Sequence, residues 1–215
     1  ILDADGRIVR RLDAKALKAE RGLNRVTWDL RAEALKPVDD LWFVGGGDDG
    51  RFAGYPVPPG RYTVRLTLGD TVSEQPLDVA IDPRVAIADD QLAAWAEMTR
   101  AAHDRVADFH GSVVGLRALR EQAQDKVARL EERDADADLI AAGQAVVEAV
   151  DDWMAGRINP ERSFFQDVLN WPDKLHSDLL FQALTVSDAI QGPTAGMAER
   201  QADLADRFAA AITAR

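Results

Sequence analysis

Cysteine is absent from the 215 residues, so the chain forms no disulfide and offers no thiolate to a metal. Histidine is scarce, with only three in the chain, which narrows the candidates for imidazole chemistry to His103, His110 and His176. No apolar stretch approaches the roughly 18 residues that crossing a bilayer takes, so no membrane span is expected. No segment of 40 to 50 residues recurs, which excludes a repeat-built propeller within these residues, and no low-complexity tract appears. Basic residues are outnumbered, almost entirely in the second part. Residues 1–86 carry 13 Lys and Arg against 14 Asp and Glu, net −1, whereas residues 87–215 carry 13 against 23, net −10. A surface this negative repels phosphate backbones and anionic lipid, so neither nucleic acid nor a membrane surface is an expected partner.

What is present is enough for a core. The chain is 47% hydrophobic and 29% charged, too apolar for disorder, and its length allows roughly 70% of the unfolded surface to be buried. The first part alternates with period two. In RYTVRLTL, Tyr62, Val64, Leu66 and Leu68 fall on one face of a predicted strand; RVTWDL and PLDVAI repeat the pattern, and GRIVRRL does so less cleanly. Pro59–Gly60 suits a type II turn, and Gly69–Asp70 suits a tight hairpin. Between Arg31 and Pro56 lies a long insertion rich in Gly and Asp around the apolar knot Leu41–Val44, expected to pack under the β layer or onto a neighbour.

After about residue 88 the period changes to three and four. Leu92, Trp95, Thr99, Ala102, Val106, Phe109, Val113 and Leu116, then Ala123, Val127 and Leu130, form one seam of a long helix. Shorter stripes follow at Ile140–Met154, at Leu175–Ile190, opened by Pro172, and at Met197–Ala211 after GPT. Four amphipathic helices with modest links predict an antiparallel, up-down four-helix bundle over 87–215, with a solitary coiled coil as the alternative for the first.

The polar residues give no complete motif. His103 and His110 are two turns apart, about 10.5 Å along the axis, too far to share a metal. Asp104 and Asp108 share a face that reads as solvated, and His176 reads as a surface or capping residue. Ser112 and Ser163 lack a nucleophile elbow. GGGDDG at 45–50 lacks the Lys and Ser/Thr of a phosphate loop; Asp48 and Asp49 could at most offer oxygen to calcium. With 37 acidic residues, a glycosidase-type carboxylate pair cannot be singled out by counting. No catalytic, cofactor-binding or metal residue is therefore assigned. Trp42, Phe43, Phe52 and Tyr55 in the insertion are the candidates for contact with a ligand or partner, such as stacking on a glycan; burial of Trp42 and Phe43 in the core is the competing reading. Trp28, Trp95, Trp153 and Trp171 fall on or beside apolar stripes and are assigned to the core.

ILDADGRIVRRL, then GLNRVTWDLR and PVPPGRYTVRLTLGD, resembles the Ig-like sandwich of the flagellar hook-capping type, with its D-x-x-G turn, its W-D pair and its P-P-G-x-Y strand entry. With PLDVAIDPRV, the long helix, LNWPDKL and GPT, nearly the whole chain resembles the C-terminal region of bacterial sortilin-like, BNR-repeat β-propeller proteins, often labelled glycosyl hydrolases. The resemblance implies an Ig-like antiparallel β-sandwich over 1–86, carrying the insertion at 31–56, ahead of the helical part. It implies a propeller upstream, consistent with an opening at Ile1 that reads as the interior of a longer polypeptide, and export to the periplasm or beyond. It carries over no catalytic residue. The expected function is a non-catalytic accessory region that packs on the propeller or a partner. The alternatives are a glycan-binding module using the insertion aromatics, or a fragment of a glycosyl hydrolase-type enzyme. Little chain precedes the D-x-x-G turn, so an open sheet edge is expected; that edge and the long helix are the two routes to a homo-oligomer.

Overall fold

The computed structural model describes residues 1–12, 21–39, 41, 53–159 and 172–213. In chain order these form strands β1 (Gly60–Leu68) and β2 (Thr71–Val79) and helices α1 (Asp89–Glu131), α2 (Ala137–Arg157), α3 (Leu175–Ser187) and α4 (Ala195–Thr213).

The helices stand where the apolar spacing put them. α1 spans 43 residues, about 64 Å, with Asp89 and Asp90 in its first turn beside the positive end of the helix dipole. Asp136 caps α2 by accepting from the Asp138 amide at 2.8 Å. Gly143 lets α2 approach closely, since a Cβ there would lie 2.6 Å from Val127 Cγ2. Arg120 binds Asp151 through Nε and Nη2, at 2.6 and 3.1 Å, and Phe109 stacks on Trp153. Together these contacts place α2 antiparallel to the C-terminal half of α1. α3 is antiparallel to the N-terminal half: Trp95 Nε1 donates to the Val186 carbonyl at 2.9 Å, while His110 meets His176. α4 runs with α1, Gln201 reaching the Met98 carbonyl and the Ala211 carbonyl accepting from Trp153 Nε1 at 2.9 Å. The directions correct the up-down expectation, because α2 and α3 both oppose α1. One core joins all four helices, from Ala102, Val106, Phe109 and Val113 to Trp153, Leu179, Leu180 and Leu204; Leu35 enters it, with Val38 and Leu41 packed alongside.

The Ig-like sandwich is not formed. Among the described residues there is one two-stranded antiparallel sheet, β1 with β2, in register from Gly60–Val79 to Leu68–Thr71. The hairpin turn at Gly69 is as expected, with φ +56. RVTWDL forms no strand: Leu30 has φ +57, which breaks the extended alternation, and Val26 and Leu30 are exposed. GRIVRRL contributes a single bridge, Ile8 with Leu2, behind a turn in which Gly6 has φ +78. Leu2 also bridges Thr63, so among the described residues one residue pairs with the outer edge of β1, and Arg31 bridges Pro56. Pro59–Gly60 is not a type II turn, since Gly60 has no positive φ and begins β1. The physical reason is shortage of cover. Among the described residues, only Ala32, Val57 and Tyr62 are buried in this part's own cluster, with Trp28 set edge-on to Tyr62 at 5.7 Å, too little apolar material among them to close a second sheet.

Candidate functional site

The bundle buries more polar groups than its principal seam accounts for. Along α1, Thr99, His103, Val106, His110 and Val113 are buried at steps of four and three, a row that shares Thr99, Val106 and Val113 with the apolar seam and adds His103 and His110 beside it. α3 answers with His176, Leu180, Ala183 and Ser187 at the same spacing. The paired seams place imidazoles between the helices.

Hydrogen-bond logic fixes the protons in two places. The Ser187 hydroxyl donates to the Ala183 carbonyl at 2.6 Å, so at 2.8 Å from His103 Nε2 it must accept, and His103 carries its hydrogen on Nε2. Its Nδ1 is then a bare acceptor, buried and without a hydrogen-bond partner among the described residues. The Lys36 carbonyl, 3.0 Å from His110 Nδ1, can only accept, so His110 donates from that nitrogen. Neutral His110 then presents a bare Nε2 to the N–H of His176 Nε2 at 3.1 Å. Burial pushes the His103 pKa down to about 4, against the nearby Ala183 carbonyl, and lowers that of His110 against the pull of Lys36.

His103 and His110 also line a cleft of about 800 Å³ between α1 and the N-terminal part. Asp104 and Arg100 stand on its helical wall; Asp3, Glu33 and Tyr55 are among the residues opposite. The Tyr55 ring lies 5.2 Å from that of His103. Desolvation raises the pKa of the Tyr55 phenol, and desolvation, opposed by Arg100, raises that of the Asp104 carboxyl.

Of the four aromatics singled out for contact, Tyr55 lines this cleft, while Trp42, Phe43 and Phe52 lie outside the described residues. So do Asp48, Asp49, Ser163 and Trp171. His103 and His110 do not meet each other, but each meets α3. His176 is neither surface nor cap: it is 2% exposed, with Phe109 stacked on it at 5.8 Å. The signal that would have found it is the 176–180–183–187 spacing. Ser112 donates to the Asp108 carbonyl at 2.8 Å. Among the described residues no group of three or more His, Asp or Glu could hold a metal, and no helix is long and apolar enough to cross a membrane.

No family model, curated protein or solved structure matches the chain. The cleft takes its walls from both parts of the chain and is lined by His103, His110, Asp104, Lys36 and Tyr55.

Proposed function

We propose that the chain is a non-catalytic interaction module, a helical platform that presents its β-hairpin to a β-rich body such as the propeller implied by the sequence resemblance. The carrying observation is the gradient along one face of β1. Tyr62 is 5% exposed and Val64 half-buried, but Leu66 is 57% and Leu68 74% exposed, so the apolar row leaves the core and continues into solvent. The opposite face is mostly polar, with Arg61 paired to Asp78 and Arg65 to Glu74 and with Val72 its one exposed large hydrophobic among the described residues, which leaves the Leu66–Leu68 side as the one to dock.

The purified chain is expected to turn over no member of a panel of glycosides and peptides. In a chain extended by the propeller-type domain, the amides of residues 64–74 are expected to exchange with solvent more slowly, and a Leu66→Ser, Leu68→Ser double variant to lose that protection. Three results would each overturn the reading: turnover abolished by one Asp or Glu substitution, exchange that the extension leaves unchanged, or a dimer in light scattering that the double variant dissolves.

A further inference from the structure

The C-terminal half of α1 has one helix for company. Among the described residues, α1 is the one element against which α2 packs broadly, so the pair keeps outer grooves of its own. One groove, of about 430 Å³, is apolar: Gly111, Gly115 and Leu119 of α1 line it with Val146 and Ala149 of α2, and Trp153 closes one end of the lining. Leu119 and Val146 are each more than a third exposed in it, and Leu139, also exposed, continues the Val146 row toward the far end of α2. On this side α1 positions 111, 115, 118, 119 and 122 and α2 positions 139, 142, 146 and 149 carry no charge, in a chain that is 29% charged.

Charge returns at both ends of the α1 row. Asp108 and Lys126 are 18 positions apart, about five turns, and so lie on the same side of α1 as Gly115 and Leu119. Both are exposed, and neither has an ion pair among the described residues. Their midpoint is Arg117, and reflection through it also carries Leu119 onto Gly115. A glycine inside a helix weakens it relative to alanine. A Cβ at Gly115 meets nothing within 4 Å, so packing within one copy gives no reason for the glycine.

We propose that this groove is a self-association surface, on which two copies lay their α1 and α2 helices antiparallel across a two-fold axis near Arg117, with Leu119 of each copy seated on Gly115 of the other. The same axis sets Asp108 of one copy opposite Lys126 of the other, and does so twice, as an isologous contact requires. A parallel pairing would set like charges against each other. The matched spacing of the two charges is what selects a second copy over another apolar partner. The surface lies on the helices, apart from the Leu66–Leu68 row.

Sedimentation equilibrium of the full chain, from micromolar to millimolar, tests this. The parent is expected to approach twice its 23.5 kDa. Gly115→Leu is expected to stay monomeric with its helical circular dichroism intact, because the new side chain has open space in its own copy and fills the seat of Leu119 in the other. Leu119→Glu, at an exposed position, is expected to do the same. Asp108→Lys and Lys126→Asp are each expected to weaken association about tenfold, the double exchange to restore it, and a mixture of the two single variants to form a heterodimer. The proposal is overturned if the parent stays monomeric at millimolar concentration, if Gly115→Leu or Leu119→Glu dimerises like the parent, or if the double exchange associates no better than the single ones. None of these touches the hairpin reading, which rests on Leu66 and Leu68. A dimer that the Leu66→Ser, Leu68→Ser variant dissolves overturns both.

Discussion

The helical part and the N-terminal part use the same kinds of side chain to different ends. In the helices, apolar residues at steps of three and four meet partners from other helices, and Trp95, Phe109, Leu179, Leu180 and Leu204 are almost wholly enclosed. In the N-terminal part, Ile8, Leu23, Val26, Leu30, Leu66, Leu68 and Val72 stay exposed, and among the described residues its buried apolar side chains are Leu2, Ala32, Leu35, Val57 and Tyr62, of which Leu35 belongs to the helical core. Periodicity says which way a side chain points. It does not say whether anything is there to receive it.

The contrast can be broken by mutation, and the largest effect lies in the helices. Phe109 is packed between Trp153 and His176, so Phe109→Ala is expected to lower stability by about 3–5 kcal/mol in urea unfolding followed by circular dichroism. A smaller value would mean that the helices close around the gap.

Acid comes next. Folded His103 is neutral with its pKa near 4, whereas in the unfolded chain it takes a proton near 6.5, so the unfolded state binds more protons between these values. Stability is then full above about pH 6.5 and falls as pH drops toward 4, by about 3 kcal/mol for this one group. Urea midpoints measured across that range check the slope, and His103→Gln should remove this part of it.

Gly143→Ala is expected to cost about 1–3 kcal/mol, because the new methyl meets Val127 Cγ2, and Val127→Ala in the same background should recover part of the loss. The smallest change belongs to the hairpin tip. Leu68→Ser should move the melting temperature by the equivalent of under about 0.5 kcal/mol, since Leu68 is 74% exposed. A loss comparable to that of Gly143→Ala would place Leu68 under cover and erase the contrast.

These differences explain what could be read from the chain in advance. The α1 seam from Trp95 through Phe109 to Val127 is decided locally: it needs only that some helix cover it, and three do. The β part was overread because RVTWDL alternates like a strand, while φ +57 at Leu30 and the lack of a pairing partner are tertiary facts. The cleft was the least legible feature. His103 and Asp104 sit next to each other in sequence, but Tyr55 arrives from a distant segment, and no spacing rule brings it opposite. His176 was hidden for another reason: reading one stripe per helix overlooks a second seam on the same helix.

Two of the buried indoles each hold the end of a different helix, Trp95 on the Val186 carbonyl of α3 and Trp153 on the Ala211 carbonyl of α4. Both carbonyls lie in last turns, where backbone acceptors run out of amides from their own helix. The protein thus contains its own optical gauge: fraying at either end strips an indole of its acceptor and lets water in, and the emission of that tryptophan moves to the red. Single-tryptophan variants would let each helix end be watched separately as the chain is warmed.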